Sequence, residues 1–528
     1  MNNLIQNILD RYSRAKSGTE KFYSMYKRGY ELSAPNYNNV EPGAFQGQTG
    51  QPRVFDSTVS RAADAFVNTF ITTICPPQTR WMELAPSENL IEELVEETGR
   101  SEQDISEELR DGYQYVTDQF FVALNQSNFY SILDQFSHDI FLGTGCLLVQ
   151  NSGDYFDSAS PLDFTAIPPL DISVELTPNQ KITGVFRKQT LRVSQIKYVY
   201  PSFDYSTISG YDRMSNKDCD VEIIEACILD PKFVTKENGT VVRLRWRYLV
   251  ICNEGIAVDE RFENNPFVVF FWSLRQKENV GRGLLTKLLP DANGLQAMVE
   301  LKQKWMQMHA FGMYTASASM LLNPAMAKIR PNGVIMVKEQ GAIQPLQPAG
   351  SPQVQQLQIQ ELQQAIKETA LDFTVPNDPR MTATQVEYIA QRQLQIFSGV
   401  VGRIQFQFLW PIVQNSLSIL VATGKIKMPT LLSKIDTSTT QLKILSPIGR
   451  VQFMNDLNSL MSALGSIGQI DPSLIQLYVK TEALPTYIFE QTGSPAKLLR
   501  SDEEAEEIKQ EMALQQQAAI EQQVQQKQ

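Results

Sequence analysis

The stretch Thr286–Ser317, TKLLPDANGLQAMVELKQKWMQMHAFGMYTAS, carries apolar residues at Leu288, Ala292, Leu295, Val299, Met306, Ala310 and Met313. Spacings of three, four and seven place them in one stripe along a helix. Helical throughout, the stretch spans roughly 45 Å at 1.5 Å per residue. Gln353–Phe373 reads as a partner helix, with Val354, Leu357, Leu362, Ile366 and Ala370 inward and its glutamines outward. Between the two, Pro324–Gly350 breaks the pattern: a turn at Pro331-Asn332-Gly333, a strand at Val334–Lys338, then Gly341, Pro345, Pro348 and Gly350. The sequence therefore predicts two helices flanking a small β-containing insertion.

Beyond this unit, a loop at Val375–Met381 leads into the longest helical pattern of the chain, Thr382–Thr423. Its apolar positions run through Val386, Ile389, Leu394, Phe397, Val401, Ile404, Phe408, Ile412 and Leu420, and Pro411 is expected to kink it. At roughly 60 Å it reads as a spine. Shorter helices are expected from Gly424 to about Phe489. The tail Ser501–Gln528 is rich in Glu, Gln, Ala and Lys. It reads either as a frayed or disordered helix or as one that packs against copies of itself through Ile508, Met512, Leu514, Ile520 and Val524.

On the N-terminal side, helices are predicted at Asn2–Tyr30, Ser57–Cys75, Glu88–Arg100, Glu102–Gln126 and Phe129–Leu142. The last ends at Gly143-Thr144-Gly145 and passes into a strand at Cys146–Val149. From Leu147 to Leu274 the period shifts towards two, in runs such as Gly184–Lys188, Asp220–Leu229, Val241–Cys252 and Phe267–Trp272. This region reads as a mostly antiparallel β domain. The fold class is α+β, mainly helical, and 528 residues suggest two to four domains.

Bulk properties narrow the function classes. Cys75, Cys146, Cys219, Cys227 and Cys252 are scattered and odd in number, and read as buried free thiols of a protein made in a reducing cytoplasm. Pro266–Trp272, the longest apolar run, falls far short of the roughly 20 residues a membrane span needs, so no membrane is expected. Met1–Ile5 runs straight into a polar amphipathic segment, so no secretion leader is expected. The 47 basic residues against 58 acidic ones leave a net charge of −11, without the basic footprint of a tight nucleic-acid binder.

Catalytic patterns are missing. Gly424-Lys425 lacks the glycine and hydroxyl of a phosphate-cradling loop, and Gly281-Arg282-Gly283 is a fragment that reads as a turn. There is no G-x-S-x-G, C-x-x-C or H-E-x-x-H, so neither a metal nor another cofactor is expected. His138-Asp139 could form an orienter pair but reads better as a helix face, and His309 reads as a packed or interface residue. The acidic clusters Glu92-Glu93 with Glu96-Glu97 and Asp502–Glu507 read as solvated helix starts. The chain is expected not to be an enzyme. Lys302, Lys304, Lys328, Arg330 and Lys338 are candidates to face phosphate, as is Arg380, provided many symmetry copies converge on one axis.

Four segments resemble the portal, or head-to-tail connector, proteins of short-tailed bacteriophages (podoviruses). Cys75–Leu84 is similar to the family's Pro-Pro, aromatic, Leu turn, and Asn128–Val149 to its helix, Gly-Thr-Gly, strand element. Val280–Gly283 followed by Leu288–Asp291 and Leu295 resembles the entry into the first stem helix. Arg380-Met381-Thr382-Ala383-Thr384-Gln385-Val386 resembles the Arg-x-Thr-Ala-x-Glu motif, with Gln385 where an acid is common. In order and spacing the resemblance covers roughly residues 10 to 440.

The resemblance implies a portal fold. A helical and β wing would occupy residues 1–283, stem helix 1 residues 284–318, a small α/β clip 319–351 and stem helix 2 352–374. A channel loop (375–381) would expose Pro376, Asn377, Asp378, Pro379 and Arg380 to DNA. The spine helix and wing return would follow at 382–446, a crown at 447–500 and a C-terminal barrel helix at 501–528. It further implies a ring of twelve copies at one capsid vertex of the virion, assembled in the host bacterial cytoplasm. Such a ring contacts the major capsid and scaffold or core proteins, docks the terminase, conducts double-stranded DNA and binds a tail adaptor at the clip. Two other classes remain compatible with the residues alone: a scaffold or adaptor forming coiled coils or filaments without DNA, and an enzyme with an unfamiliar site.

Overall fold

The computed structural model describes residues 2–35, 53–77, 79–152, 160–200, 203–208, 219–230, 235–237, 240–242, 245–252, 255–311, 313–316, 343–346, 352–370, 399–427, 440–446, 460 and 462–467. In chain order the N-terminal elements are α1 (Asn2–Glu20), α2 (Tyr23–Ser33), α3 (Thr58–Ile74), β1 (Met82–Pro86), α4 (Glu88–Thr98), α5 (Glu102–Asn125) and α6 (Phe129–Leu142). The β region follows as β2 (Thr144–Asn151), β3 (Leu162–Ala166), β4 (Ile172–Leu176), β5 (Ile182–Arg192), α7 (Val193–Val199), β6 (Asp220–Leu229), β7 (Thr235–Glu237), β8 (Thr240–Val242), β9 (Trp246–Cys252), β10 (Gly255–Phe262) and β11 (Phe267–Phe271). Then come α8 (Leu284–Phe311), β12 (Met313–Ala316), β13 (Ile343–Leu346), α9 (Pro352–Thr369), α10 (Trp410–Ala422) and β14 (Thr440–Ile444). The chain divides into two compact units, one of residues 1–71, 122–393 and 399–427, the other of 72–121, 394–398 and 428–528.

The first unit is built on a five-stranded antiparallel sheet of order β10-β9-β6-β5-β4. Successive side chains of a strand point to opposite faces, and both faces here are covered. Phe186, Ala226, Ile228, Leu249 and Ile251 meet α1 through Ile5 and Ile8. Their neighbours Val185, Cys227, Tyr248, Val250 and Cys252 turn to the other side, where Cys146, Leu148, Ile196 and Phe267 complete a second core. Double coverage explains why these strands read as continuous apolar runs. Each large side chain so buried contributes about 1.5–3 kcal/mol. All five cysteines are free; four are buried, and Cys219 is half-buried, contrary to the expectation of five buried thiols.

A second, three-stranded antiparallel sheet of order β11-β2-β3 packs on α6. Phe136 of α6 stacks on Phe408 with ring centroids 4.7 Å apart, and Phe66 of α3 lies 5.2 Å from Phe141 and 5.6 Å from Trp272. Residues 399–404 are α-helical, Gln405–Leu409 form a π-helical turn, and α10 follows with Pro411 near its start. The wider turn removes the need for the hydrogen bond that the proline cannot donate, so the expected irregularity takes the form of a π turn.

The second unit pairs β1 with β14, Met82 opposite Ile444. Trp81 stands edge-on to Phe120 and Phe121, and the Tyr113 hydroxyl shares a 2.8 Å hydrogen bond with Thr440. Helix α4 is capped by Ser87, whose side chain accepts from the Leu90 N–H, and ends at Gly99 in the left-handed region.

Several expectations need correction. The first stem helix is expected to run through residue 318, but α8 ends at Phe311 and Met313–Ala316 is a strand paired with Ile343–Leu346. The expected helices beyond Gly424 are replaced at Thr440–Ile444 by β14. The N-terminal helix is two, α1 and α2. Among the described residues, no helix is long and apolar enough to cross a membrane.

Candidate functional site

Helices α8 and α9 pack together as a hairpin, and β12 pairs with β13 between them in sequence. The base of α8 is held by a junction that joins two glycine motifs over a hundred residues apart. The Gly281 N–H donates to Thr144 Oγ1 at 2.8 Å, and Tyr26 donates its hydroxyl to the Gly281 carbonyl at 2.6 Å. Gly283 N–H donates to Leu142 O at 3.0 Å, and Trp272 N–H to Gly143 O at 3.0 Å. A Cβ on Gly143 or Gly281 would strike the other's carbonyl oxygen, so only glycine lets these backbones meet. Burial raises the Tyr26 hydroxyl pKa, keeping it a neutral donor. The Gly-x-Gly fragment thus positions α8, with its three N–H groups taken by Thr144, Ser273 and Leu142.

Farther along α8, the segment before α3 clasps both helices. Gln296 of α8 accepts from the N–H groups of Phe55 (2.7 Å) and Asp56 (3.1 Å) and donates to Asp56 O (2.8 Å). Gln363 of α9 donates to Asp56 Oδ2 at 2.8 Å. Near this base Leu284, Leu285, Leu288, Ala292 and Leu295 are buried, as are Ile359, Ile366 and Ala370 on the returning side.

Farther out the hairpin loses its cover, on the stripe at Met306 and on the opposite side of α8 at Leu301. Leu301 and Met306 on α8 are each 55% exposed, and Val354 and Leu357 on α9 are 54% and 59% exposed. Val354 and Leu357 are expected to face inward, and they do not; Met306, a member of the apolar stripe of α8, is exposed as well. With Trp305 and Lys302, Met306 and Leu357 line a shallow apolar depression along the outer half of the hairpin.

Of the predicted basic set, Lys302 is half-buried and donates to Gln356 across the hairpin, while Lys304 pairs with Glu300 one turn away at 2.8 Å. Lys328, Arg330, Lys338 and the loop residues Pro376, Asn377, Asp378, Pro379 and Arg380 lie outside the described residues. His138 stacks on Tyr30 with centroids 5.8 Å apart, and burial lowers its pKa to about 4. Tyr30 donates to Asp139 Oδ1 at 2.6 Å, and burial raises the Asp139 carboxyl well above its ordinary value. The pair is a packing feature of α6. His309 falls within α8. Among the described residues no three His, Cys, Asp or Glu side chains converge as metal ligands.

Nothing in the sequence singles out the α6 and α8 glycine contacts, Gln296 or the exposed outer stripe as a site. The glycine segments are marked in the sequence as motifs, without any sign that they meet, and the outer stripe is marked by its apolar spacing alone, because which half finds a partner within the chain is a tertiary matter.

No curated protein matches this chain. Among solved structures it is similar to a chain of the virion of a native gene transfer agent particle, at 9% identity and a TM-score of 0.32, over 78% of this chain and 86% of that one. The model of the bacteriophage head to tail connecting protein family matches residues 5–499. With a match over nearly all of its length, the chain belongs to the bacteriophage head to tail connecting protein family, virion components that join the capsid to the tail.

Proposed function

We propose that the protein is the portal of a short-tailed phage, a ring of twelve copies at one capsid vertex that conducts double-stranded DNA and catalyses no reaction. The observation that carries this reading is the apolar outer half of the α8–α9 hairpin. Met306 and Leu357 stand exposed along one apolar depression of a two-helix element, where a monomer gains nothing by displaying them. Surfaces of this kind are buried when the same element from neighbouring copies packs side by side. In the ring the hairpins form the stem, the segment between them the clip that meets the tail adaptor, and the 376–380 loop approaches the DNA. The terminase docks from outside and supplies the energy for packaging. The capsid and scaffold or core proteins surround the wing, and assembly takes place in the host cytoplasm.

Native mass measurement and class-averaged electron images of the purified chain test this. Closed rings of about twelve subunits with an open axial channel are expected. A stable monomer or an open filament overturns the reading in favour of a scaffold or adaptor without DNA.

A further inference from the structure

The first unit contains a groove of about 520 Å³ between the edge strand β10 and α10, a volume within the usual range for binding pockets. Its floor includes Tyr200 and Tyr248, both buried, whose hydroxyls donate to the buried carboxylate of Glu225. Arg187 faces the same carboxylate at 3.3 Å. That network fixes both rings, so the floor is rigid before anything binds. The walls are apolar, with Phe262 on one side and Ile419 and Ala422 on the other. The lining includes two carboxylates, Glu260 and Glu263, and no lysine or arginine. Burial raises the Glu260 carboxyl, a cost that a neighbouring cation would relieve.

Elsewhere on the same unit stands a shape of opposite character. Phe406, in the π turn, is 67% exposed, the highest value among the exposed large apolar side chains of the described residues. Arg403 lies three residues earlier and so on the same helical face. Ile419 and Ala422 line the groove and Phe406 does not, so on this continuous helix the exposed ring stands outside it. One helix thus carries an aromatic knob beside a cation on one side and a wall of an apolar, acidic groove on another. A knob and a groove on separate surfaces of one chain make a head-to-tail contact, the kind that closes into rings.

We infer that Phe406 and Arg403 of one copy seat in the β10–α10 groove of the next, the aromatic ring against Phe262 and Ile419 and the guanidinium beside Glu260. The inference rests on the ring reading and adds to it a contact made away from the stem hairpin. Aromatic and arginine anchors entering a rigid pocket are the side chains that dominate association energies.

The full-length chain is used throughout, and the wild type is first sized by native mass measurement. Cysteines are then placed as Gly402→Cys, one turn before Phe406 on the same helical face, and Ala422→Cys, singly and together, and mild oxidation is followed by denaturing electrophoresis. The double variant should give a ladder of covalent dimers, trimers and higher species, while neither single variant does. Phe406→Asp should lower the assembled fraction at least tenfold at fixed concentration with the melting temperature of the dissociated chain unchanged. Arg403→Glu should weaken assembly, and Glu260→Lys in the same chain should restore it. If wild-type rings form but the double-cysteine variant gives no ladder, or Phe406→Asp assembles as well as the wild type, this contact is overturned and the ring reading stands. If the wild type never assembles, the ring reading fails first and this contact with it.

Discussion

Gly143, with φ 145°, shows how a single atom can decide the placement of a helix. Its missing side chain is the space in which the Gly281 carbonyl sits. Gly143→Ala is expected to destabilise the chain by about 2–3 kcal/mol through overpacking and backbone strain. Gly294 makes the contrast: a Cβ there meets nothing within 4 Å, and it lies inside α8. Gly294→Ala should therefore stabilise by about 0.5–1 kcal/mol. Denaturant midpoints of the two variants, measured together, check both signs. His138 gives a pH signature. Its folded pKa of about 4 lies below the ordinary 6.5, so between those values the unfolded chain binds the proton and the folded chain does not. Stability from this residue is present above pH 6.5 and lost as pH falls towards 4, by at most about 3 kcal/mol. Asp139, with its pKa raised, acts in the opposite sense: its contribution is lost as pH rises, so the total stability is a poor readout. The difference between wild type and His138→Gln isolates the imidazole, and should shrink as pH falls from 6.5 to 4. A difference constant with pH would mean that the ring is protonated in the folded chain or exposed.

At the scale of elements, the hairpin α8–α9 separates a buried half that builds the subunit from an exposed half to which the proposed ring assigns the assembly contact. Met306→Glu with Leu357→Glu changes two exposed side chains, so unfolding of the dissociated chain should move by less than about 0.5 kcal/mol. The same pair should abolish rings, since each copy would bring like charges into its neighbour's stripe; sedimentation velocity reads this directly. Leu288→Ala, on the buried part of the stripe, should do the reverse, costing about 2–5 kcal/mol of subunit stability. Period and turn chemistry make much of this element legible: α6 and β6 match their expected limits, and the hairpin's two helices are readable from Leu288, Leu295 and Ile366. The end of α8 is not, because Met313 also fits a helical spacing, and its pairing with Leu346 is a long-range contact that local periodicity cannot carry. The pairing of Met82 with Ile444 is hidden for the same reason. Gly281 is readable as a turn, but not as the partner of Gly143, which only the folded backbone brings near.

For the whole molecule, charge sets how a conduit can treat its cargo. Each copy carries a net −11, so a ring of twelve, as proposed, would lack the overall positive charge with which a basic protein grips a duplex. The affinity of assembled rings for linear double-stranded DNA should be no tighter than the roughly 10⁻⁴–10⁻⁶ M of ordinary non-specific binding at physiological salt. That weakness suits passage, because every phosphate held firmly must be released before the next step. Arg380, in the loop proposed to approach the DNA, is the one strong phosphate ligand assigned there. In the proposed ring symmetry would repeat it around the axis, so an interaction negligible in one copy would be multiplied. If several copies of Arg380 engage phosphate at once, Arg380→Ala should flatten the slope of log K against log salt by about 0.9 for each phosphate no longer neutralised. Fluorescence anisotropy of a labelled duplex over a salt series measures it. Retention of packaged DNA in particles carrying the variant should fall in parallel. An unchanged slope together with unchanged packaging, retention and ejection would remove the loop from the DNA path. The weak passage would then belong to the walls of the stem, where Lys302 and Lys304 are already engaged by Gln356 and Glu300.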